Sequence, residues 1–295
     1  MKSKILVIAG TEKAATTSIY SALSSINEFN TSLKKETDHL RLEEVTLRSY
    51  LSCFNEFDKK SYYLEASPGY LSESHIVRNN IMKLCECEFN LIFILRSPIK
   101  KLISSYSFHQ SRPYIPKSVS FDDYIKLCFD SYLGEKNNLE LSDWCLSVPK
   151  HGLYFDRLSN FKGIKNSRNY IYEFNDFVNN PVANINSLLS SIGIEATISH
   201  MPKSNEGHIH KSDIIQKIAL TINNNLESFF YDHPKVKSLI LRVYKKLNTT
   251  EKPKITISKG TKKALFDYYI DDMEKLLKAQ HINPAQFERW CKDFD

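Results

Sequence analysis

Five apolar residues in a row, Ile5 to Ala9, end abruptly at Gly10, and the next apolar positions, Ile19, Tyr20, Leu23 and Ile26, recur at helical spacing. A β-branched run this short and this apolar is stable only where both of its faces are covered, and a helix following a turn supplies one cover. The chain therefore opens as strand, turn, helix. Further short apolar runs at Tyr62–Glu65, Phe89–Leu95 and Tyr170–Tyr172 alternate with helical patterns near 41–54, 74–86, 98–110, 150–161 and 181–192. That alternation predicts an α/β fold: a three-layer α/β/α arrangement around a central, mainly parallel sheet.

After about residue 212 the strand patterns stop. Helices are predicted near 212–230, 235–247 and 258–280, with the polar stretch 247–257 as a surface loop. The expected organisation is one domain over 1–295, an α/β core (1–211) with a helical C-terminal extension (212–295) packed on it. With 295 residues, 42% of them hydrophobic and 25% charged, the chain has enough apolar side chains for a sizeable core, which excludes disorder and fibrous repeats. A net charge of +6 is too diffuse for a dedicated nucleic-acid binder but suits anionic ligands. Six cysteines in a chain of this length need no disulfide framework, and only Cys85 and Cys87 are close, so reduced thiols and no metal are expected. Ile5–Ala9 is too short for a signal peptide, and no run approaches the roughly 20 apolar residues of a membrane span. A cytoplasmic protein without an integral membrane segment is the expectation.

The turn between the first strand and the first helix, Gly10-Thr11-Glu12-Lys13-Ala14-Ala15-Thr16-Thr17-Ser18, is where free backbone N–H groups and the helix dipole favour an anion. A nucleoside triphosphatase would place Gly-Lys-Ser/Thr at its end, with the hydroxyl on magnesium. Here Lys13 precedes the small residues, and the strand ending at Leu95 delivers Arg96 rather than an acidic metal ligand. Pro98 is placed to start a helix, and Ser104 follows Arg96 by eight residues, so a strand-end guanidinium and a helical hydroxyl are candidates to share one phosphate.

The Lys13-Ala14-Ala15-Thr16-Thr17 turn, the Arg96-to-Ser104 element and Glu65-Ala66-Ser67-Pro68-Gly69-Tyr70 together resemble the PAPS-dependent sulfotransferases, in particular a soluble, bacterial-type member of the carbohydrate, heparan-sulfate-like branch. PAPS is 3′-phosphoadenosine 5′-phosphosulfate, and PAP is the product left after transfer. The resemblance continues through His151-Gly152-Leu153-Tyr154, Tyr170–Phe174 with the helix after Pro181, and Asp271–Leu276 ahead of Trp290, nearly the whole chain. It implies that Lys13, Ala14, Ala15, Thr16, Thr17 and Ser18 hold the 5′-phosphosulfate, that Arg96 and Ser104 hold the 3′-phosphate, and that Tyr154 also lines the donor site. Lys13 would assist departure of the bridging oxygen, a role suited to a mobile point charge. Glu65, Ser67 and Tyr70 are implied on the acceptor side.

The family's Lys-Glu-Pro-His segment is similar to Lys35-Glu36-Thr37-Asp38-His39, which makes Glu36 the candidate base and His39 the next, with Asp38 beside it. The sequence departs from the family at three places: Ala15 for Gly, Thr37-Asp38 for Pro, and Ala66 for Lys. A late polar loop, Lys203-Ser204-Asn205 to Lys211, resembles in position the one that closes over the nucleotide. The implied activity is in-line, metal-independent transfer of a sulfuryl group from PAPS to a carbohydrate or glycoconjugate hydroxyl, with an amine as the alternative acceptor. Tyr106, Tyr114, Tyr124, Tyr132 and Trp144 are candidates to stack on sugar rings. The rivals are an atypical P-loop kinase using ATP and magnesium, and a noncatalytic PAP-binding protein.

Overall fold

The computed structural model describes residues 2–55, 62–135, 139, 141–202, 209–210, 213–226, 255–295 and single positions between 233 and 250. These divide into two compact units. The first comprises 1–101, 150–205 and 262–295, and the second 102–149 and 206–261.

The first unit is built on five parallel strands, β1 (Ser3–Gly10), β2 (Phe29–Thr31), β3 (Tyr62–Ala66), β4 (Cys87–Leu95) and β5 (Ser167–Glu173), in the order β2-β3-β1-β4-β5. The predicted α/β architecture is what the chain adopts. β1 lies centrally, with Leu6 opposite Leu64 on one side and Asn90 on the other, which explains why Ile5–Ala9 are apolar without alternation: all five are fully buried. On one face Leu6, Ile8, Leu64, Ala66, Ile92 and Ile94 form a core with Ile19 and Leu23 of α1 (Thr16–Leu23) and with Ile185, Leu188 and Leu189 further along the chain. Strand periodicity sends Ile5, Val7, Leu91 and Phe93 to the other face, where the Phe93 ring meets Phe161 at 5.0 Å.

Three short helices follow the strands: α2 (Leu47–Leu51), α3 (Ser74–Lys83) and, beginning in the first unit and running into the second, α4 (Pro98–Ser111). The segment predicted as one helix near 41–54 is a 3₁₀ turn at His39–Arg41 followed by α2, whose Thr46–Ser49 capping box starts it late. β2 escaped the sequence reading because three residues are too few to show a period. Asn80 of α3 donates to Leu40 O at 2.9 Å and Leu42 O at 2.8 Å, fixing the 3₁₀ turn beside the sheet.

The second unit contains α5 (Phe121–Tyr132) and α6 (Asp143–Leu146), neither of which the sequence reading separated from its surroundings. Ser120 caps α5 through Asp123 N at 3.1 Å, and the Tyr124 hydroxyl donates to Cys145 O at 2.5 Å, joining the two helices. The predicted helix near 150–161 is a 3₁₀ segment, Val148–Gly152, followed by α7 (Phe155–Asn160), and α8 (Phe174–Asn179) and α9 (Pro181–Ser191) come after β5. The chain continues into the two-residue strand β6 (Ile209–His210), α10 (Asp213–Asn225) and β7 (Thr249–Thr250), which pairs antiparallel with β6 inside the stretch expected to be a plain loop. The predicted helix at 235–247 falls mostly outside the described residues. Two helices, Lys259–Lys278 and Pro284–Lys292, close the chain, and residues 262–295 cluster with the sheet-bearing unit while 206–261 cluster with the other.

Asp272 explains part of that clustering: its carboxylate accepts from Tyr154 N at 2.8 Å and Phe155 N at 3.0 Å, capping α7, which has no cap from its own sequence. Among the described residues no helix is long and apolar enough to cross a membrane.

Candidate functional site

The turn after β1 is held from two sides. Thr11 donates its N–H to Ile94 O at 3.1 Å and its hydroxyl to the same oxygen at 3.0 Å, while Leu71 N donates to Ala9 O at 3.0 Å. A Cβ on Gly10 would stand 2.8 Å from Leu71 Cβ, so only glycine permits this approach. Beyond it, Lys13 and Ala15 take positive φ, +64° and +59°, with Ala14 between them in the ordinary region. A left-handed residue, Ala15, followed by the right-handed first residue of α1, Thr16, forms the backbone pattern of an anion nest. Ala15 adopts the left-handed geometry that glycine would accept freely, at a cost of about 1 kcal/mol, and it precedes α1 without a side-chain cap. Ala14 and Thr16 are buried, Thr17 and Ser18 half-buried, at the helix end where the free amides lie.

Arg96 reaches this turn directly. Its Nη1 donates to Lys13 O at 2.7 Å, its guanidinium lies 4.7 Å over the Phe174 ring, and the Tyr154 hydroxyl donates to Arg96 O at 2.8 Å. Tyr154, fully buried, thus braces Arg96. The Arg96 Nε is buried without a hydrogen-bond partner, an orphaned charged donor beside a nest of amides. Ser104 lies half-buried on α4 in the second unit.

Residues 35–40 lie along the end of β3. Ala66 N donates to Lys35 O at 3.2 Å, Asp38 N to Ser67 Oγ at 3.1 Å, and Leu40 N to the Tyr70 hydroxyl at 3.1 Å. Below them Glu65 is fully buried and accepts from the hydroxyls of Tyr50 at 2.6 Å, Ser67 at 3.2 Å and Tyr70 at 3.2 Å, and also from Thr37. Burial raises the Glu65 pKa against the opposing pull of those hydroxyls. Glu65, Ser67 and Tyr70 therefore form a floor of mutually satisfied polar groups under the segment, none of them exposed. Glu36 projects from it with 54% of its side chain exposed and pairs with Lys35 at 2.5 Å. His39 shares a hydrogen bond with Ser49 Oγ at 3.0 Å, and partial burial lowers its pKa, leaving the ring neutral near pH 7.

The structure thus brings Lys13, Arg96 and Tyr154 together at one site, and Glu36 and His39 together with Glu65, Ser67 and Tyr70. Lys203, Ser204, Asn205 and Lys211 lie outside the described residues. Sequence reading passed over Lys101, only 2% exposed on the first turn of α4, and Asp272, the cap of α7. A signal for Lys101 did exist, since the helical period aligns it with Ser97 and Ser105, both buried. A surface cleft of about 620 Å³ at the far end of α1, between Ser25–Glu28 and Ala196–Pro202, contains none of these residues. Among the described residues no group of His, Cys, Asp or Glu is arranged to hold a metal ion.

No family model and no curated protein matches this sequence. Among solved structures, a sulfotransferase from Alicyclobacillus acidocaldarius superposes with a TM-score of 0.63 over 96% of this chain and 98% of its own, at 13% identity. This chain shares the fold of that protein. The sulfotransferase domain from the curacin biosynthetic pathway aligns more weakly, with a TM-score of 0.37 at 10% identity over 66% of this chain and 75% of its own. The turn after β1 and Arg96 at the end of β4 sit at the carboxyl edge of the central strands, where open parallel sheets collect ligands.

Proposed function

We propose that this protein transfers the sulfuryl group of PAPS to a hydroxyl of a carbohydrate or glycoconjugate, as a member of the sulfotransferases. The observation that carries this reading is the coupling of the nest to Arg96. A half-buried guanidinium whose buried Nε lacks a partner grips the carbonyl of Lys13, so one element offers amides to one anionic group and a cation to another. The turn amides and Lys13 bind the 5′-phosphosulfate, and Arg96 and Ser104 bind the 3′-phosphate. Residues 203–211 are proposed to cover the donor.

In the transfer step the acceptor oxygen attacks sulfur in line, its proton passes to Glu36, and the bridging S–O bond breaks with its electron pair leaving on the phosphate of PAP. Lys13 stabilises the charge that develops on that oxygen. Glu36 suits the base because it is exposed, on a segment fixed from below. Glu65, Ser67 and Tyr70 serve the acceptor side by holding that segment in place. Of the aromatic candidates, Tyr106 and Tyr124 are core residues, whereas Trp144 and Tyr114 are exposed in the second unit, their rings 5.6 Å apart at 89°. The six free cysteines fit a cytoplasmic setting.

Glu36→Ala is expected to bind PAP as the wild type does, to keep its melting temperature, and to lose activity by about 10²–10⁴-fold. Calorimetric titration with PAP and a sulfated-product assay check this. Full activity in Glu36→Ala would move the base to His39.

A further inference from the structure

Two helical stretches of the second unit carry large aliphatic side chains on the outside. Ile218 and Ile222 of α10 and Leu226, one turn further on, recur at a spacing of four residues. Val236, Leu239 and Ile240, again at helical positions, recur at three and four. Each of the six is 40–59% exposed. A helix on the surface of a folded unit normally turns such a stripe inward, so two stripes facing out call for a cover. The two stretches share an anchor: β6 pairs antiparallel with β7, His210 opposite Thr249, which ties the start of α10 to the end of the second stretch at Asn248.

Charge says what the cover is. The chain holds 40 Lys and Arg against 34 Asp and Glu, and five of the cations, Lys235, Lys237, Arg242, Lys245 and Lys246, fall between positions 233 and 250, where there is no acid. Elsewhere 35 cations face 34 acids, so nearly all of the +6 belongs to this one stretch, and the charge expected to be diffuse is local. Read at helical spacing, the five cations flank the stripe of Val236, Leu239 and Ile240 without interrupting it, the pattern of a basic amphipathic helix. Between the two stretches the sequence adds Phe229-Phe230-Tyr231, and aromatic rings favour the boundary between water and lipid.

A second copy of this chain is a poor cover, because a twofold contact sets the same five cations against their own mates. A nucleic acid would take the cations and leave the aliphatic side chains in water. An anionic bilayer uses both, the headgroups taking the charge and the layer beneath them the side chains. We propose that the face carried by Ile218, Ile222, Leu226, Val236, Leu239 and Ile240 docks this protein on the surface of a bilayer rich in anionic lipid, in the headgroup layer and without crossing it. The inference is independent of the donor reading above.

The test is sedimentation of the full chain with vesicles of phosphatidylglycerol and phosphatidylcholine in equal parts, against vesicles of phosphatidylcholine alone, at about 0.1 M and about 0.5 M salt. At the lower salt the wild type is expected to partition at least about 30-fold more strongly onto the anionic vesicles, and at the higher salt to lose most of that preference. Lys245→Gln combined with Lys246→Gln is expected to weaken partition by about 10–30-fold. Ile218→Asn combined with Leu239→Asn is expected to weaken it by about 10-fold or more and to keep the melting temperature, since both side chains are exposed. Equal binding to the two kinds of vesicle, binding to neither, or a double substitution of either kind that leaves partition unchanged overturns the proposal. A protein that ignores vesicles but forms a dimer dissolved by Ile218→Asn with Leu239→Asn, or that is retained by RNA instead, overturns it in favour of a second copy or a nucleic acid. Should the aliphatic variant not fold, the lysine variant and the salt dependence decide.

Discussion

Arg96→Ala is expected to weaken PAP binding by about 100-fold, the largest loss of any single substitution at the donor site. Two contributions combine. The guanidinium offers a charged donor to the 3′-phosphate, and the same side chain fixes the turn through its 2.7 Å bond to Lys13 O, so its removal loosens the amides that hold the other end of the donor. Lysine does not replace it, because a point charge cannot both donate to the Lys13 carbonyl in this geometry and lie flat over Phe174. Arg96→Lys is therefore expected to recover little of the affinity. Titration of both variants with PAP, with circular dichroism to verify folding, is the check; wild-type affinity in Arg96→Ala would remove Arg96 from the site.

The second large effect is on stability. Glu173 ends β5 with its side chain fully buried and accepts four kinds of donor: Trp290 Nε1 at 3.0 Å, Arg289 at 2.8 Å, Asn175 at 3.1 Å and the backbone N–H of Asp176 at 3.0 Å, the last capping α8. It thereby ties the final helix, Pro284–Lys292, to the edge strand of the sheet. Glu173→Ala removes the cap and leaves the buried indole N–H of Trp290 without an acceptor, while Arg289 retains Asp176 at 2.8 Å. The sum is about 3–5 kcal/mol, enough to unfold a chain of ordinary stability at moderate temperature. Urea denaturation should show the midpoint falling with little change in slope. A loss below about 1 kcal/mol would mean that water or a rearranged Arg289 takes over the role of Glu173.

Those two residues also mark how far a sequence alone carries. The place of Arg96 between a strand and a helix was legible because it ends an apolar run and precedes a Pro-started helix, a local pattern with local consequences. The sheet itself was legible for the same reason: Ile5–Ala9 and Leu91–Leu95 are apolar on every residue, and only central strands covered on both faces demand that. β2 was not, since Phe29–Thr31 is too short to show any period, and β6 and β7 pair across nearly forty residues with two residues each. Glu65 shows the deeper limit. A carboxylate at the end of a strand reads as a surface or acceptor-side group, and nothing nearby in sequence reveals that the hydroxyls of Thr37, Tyr50 and Tyr70 converge on it. The same holds for Asp272, which caps α7 from the helix Lys259–Lys278, and for the burial of Lys101 next to an exposed Lys100. Local periodicity reports which face of an element is covered, and it is silent on which distant polar groups meet there.

A crystal structure of the complex with PAP confronts the account most directly. The 5′-phosphate is expected on the amides between Lys13 and Ser18, and the 3′-phosphate within hydrogen-bond distance of the Arg96 guanidinium, with Glu36 facing an open cleft on the sulfur side of the 5′-phosphate. PAP bound with its phosphates remote from the turn and from Arg96, or a crystal that admits ATP with magnesium at the turn and excludes PAP, would contradict it.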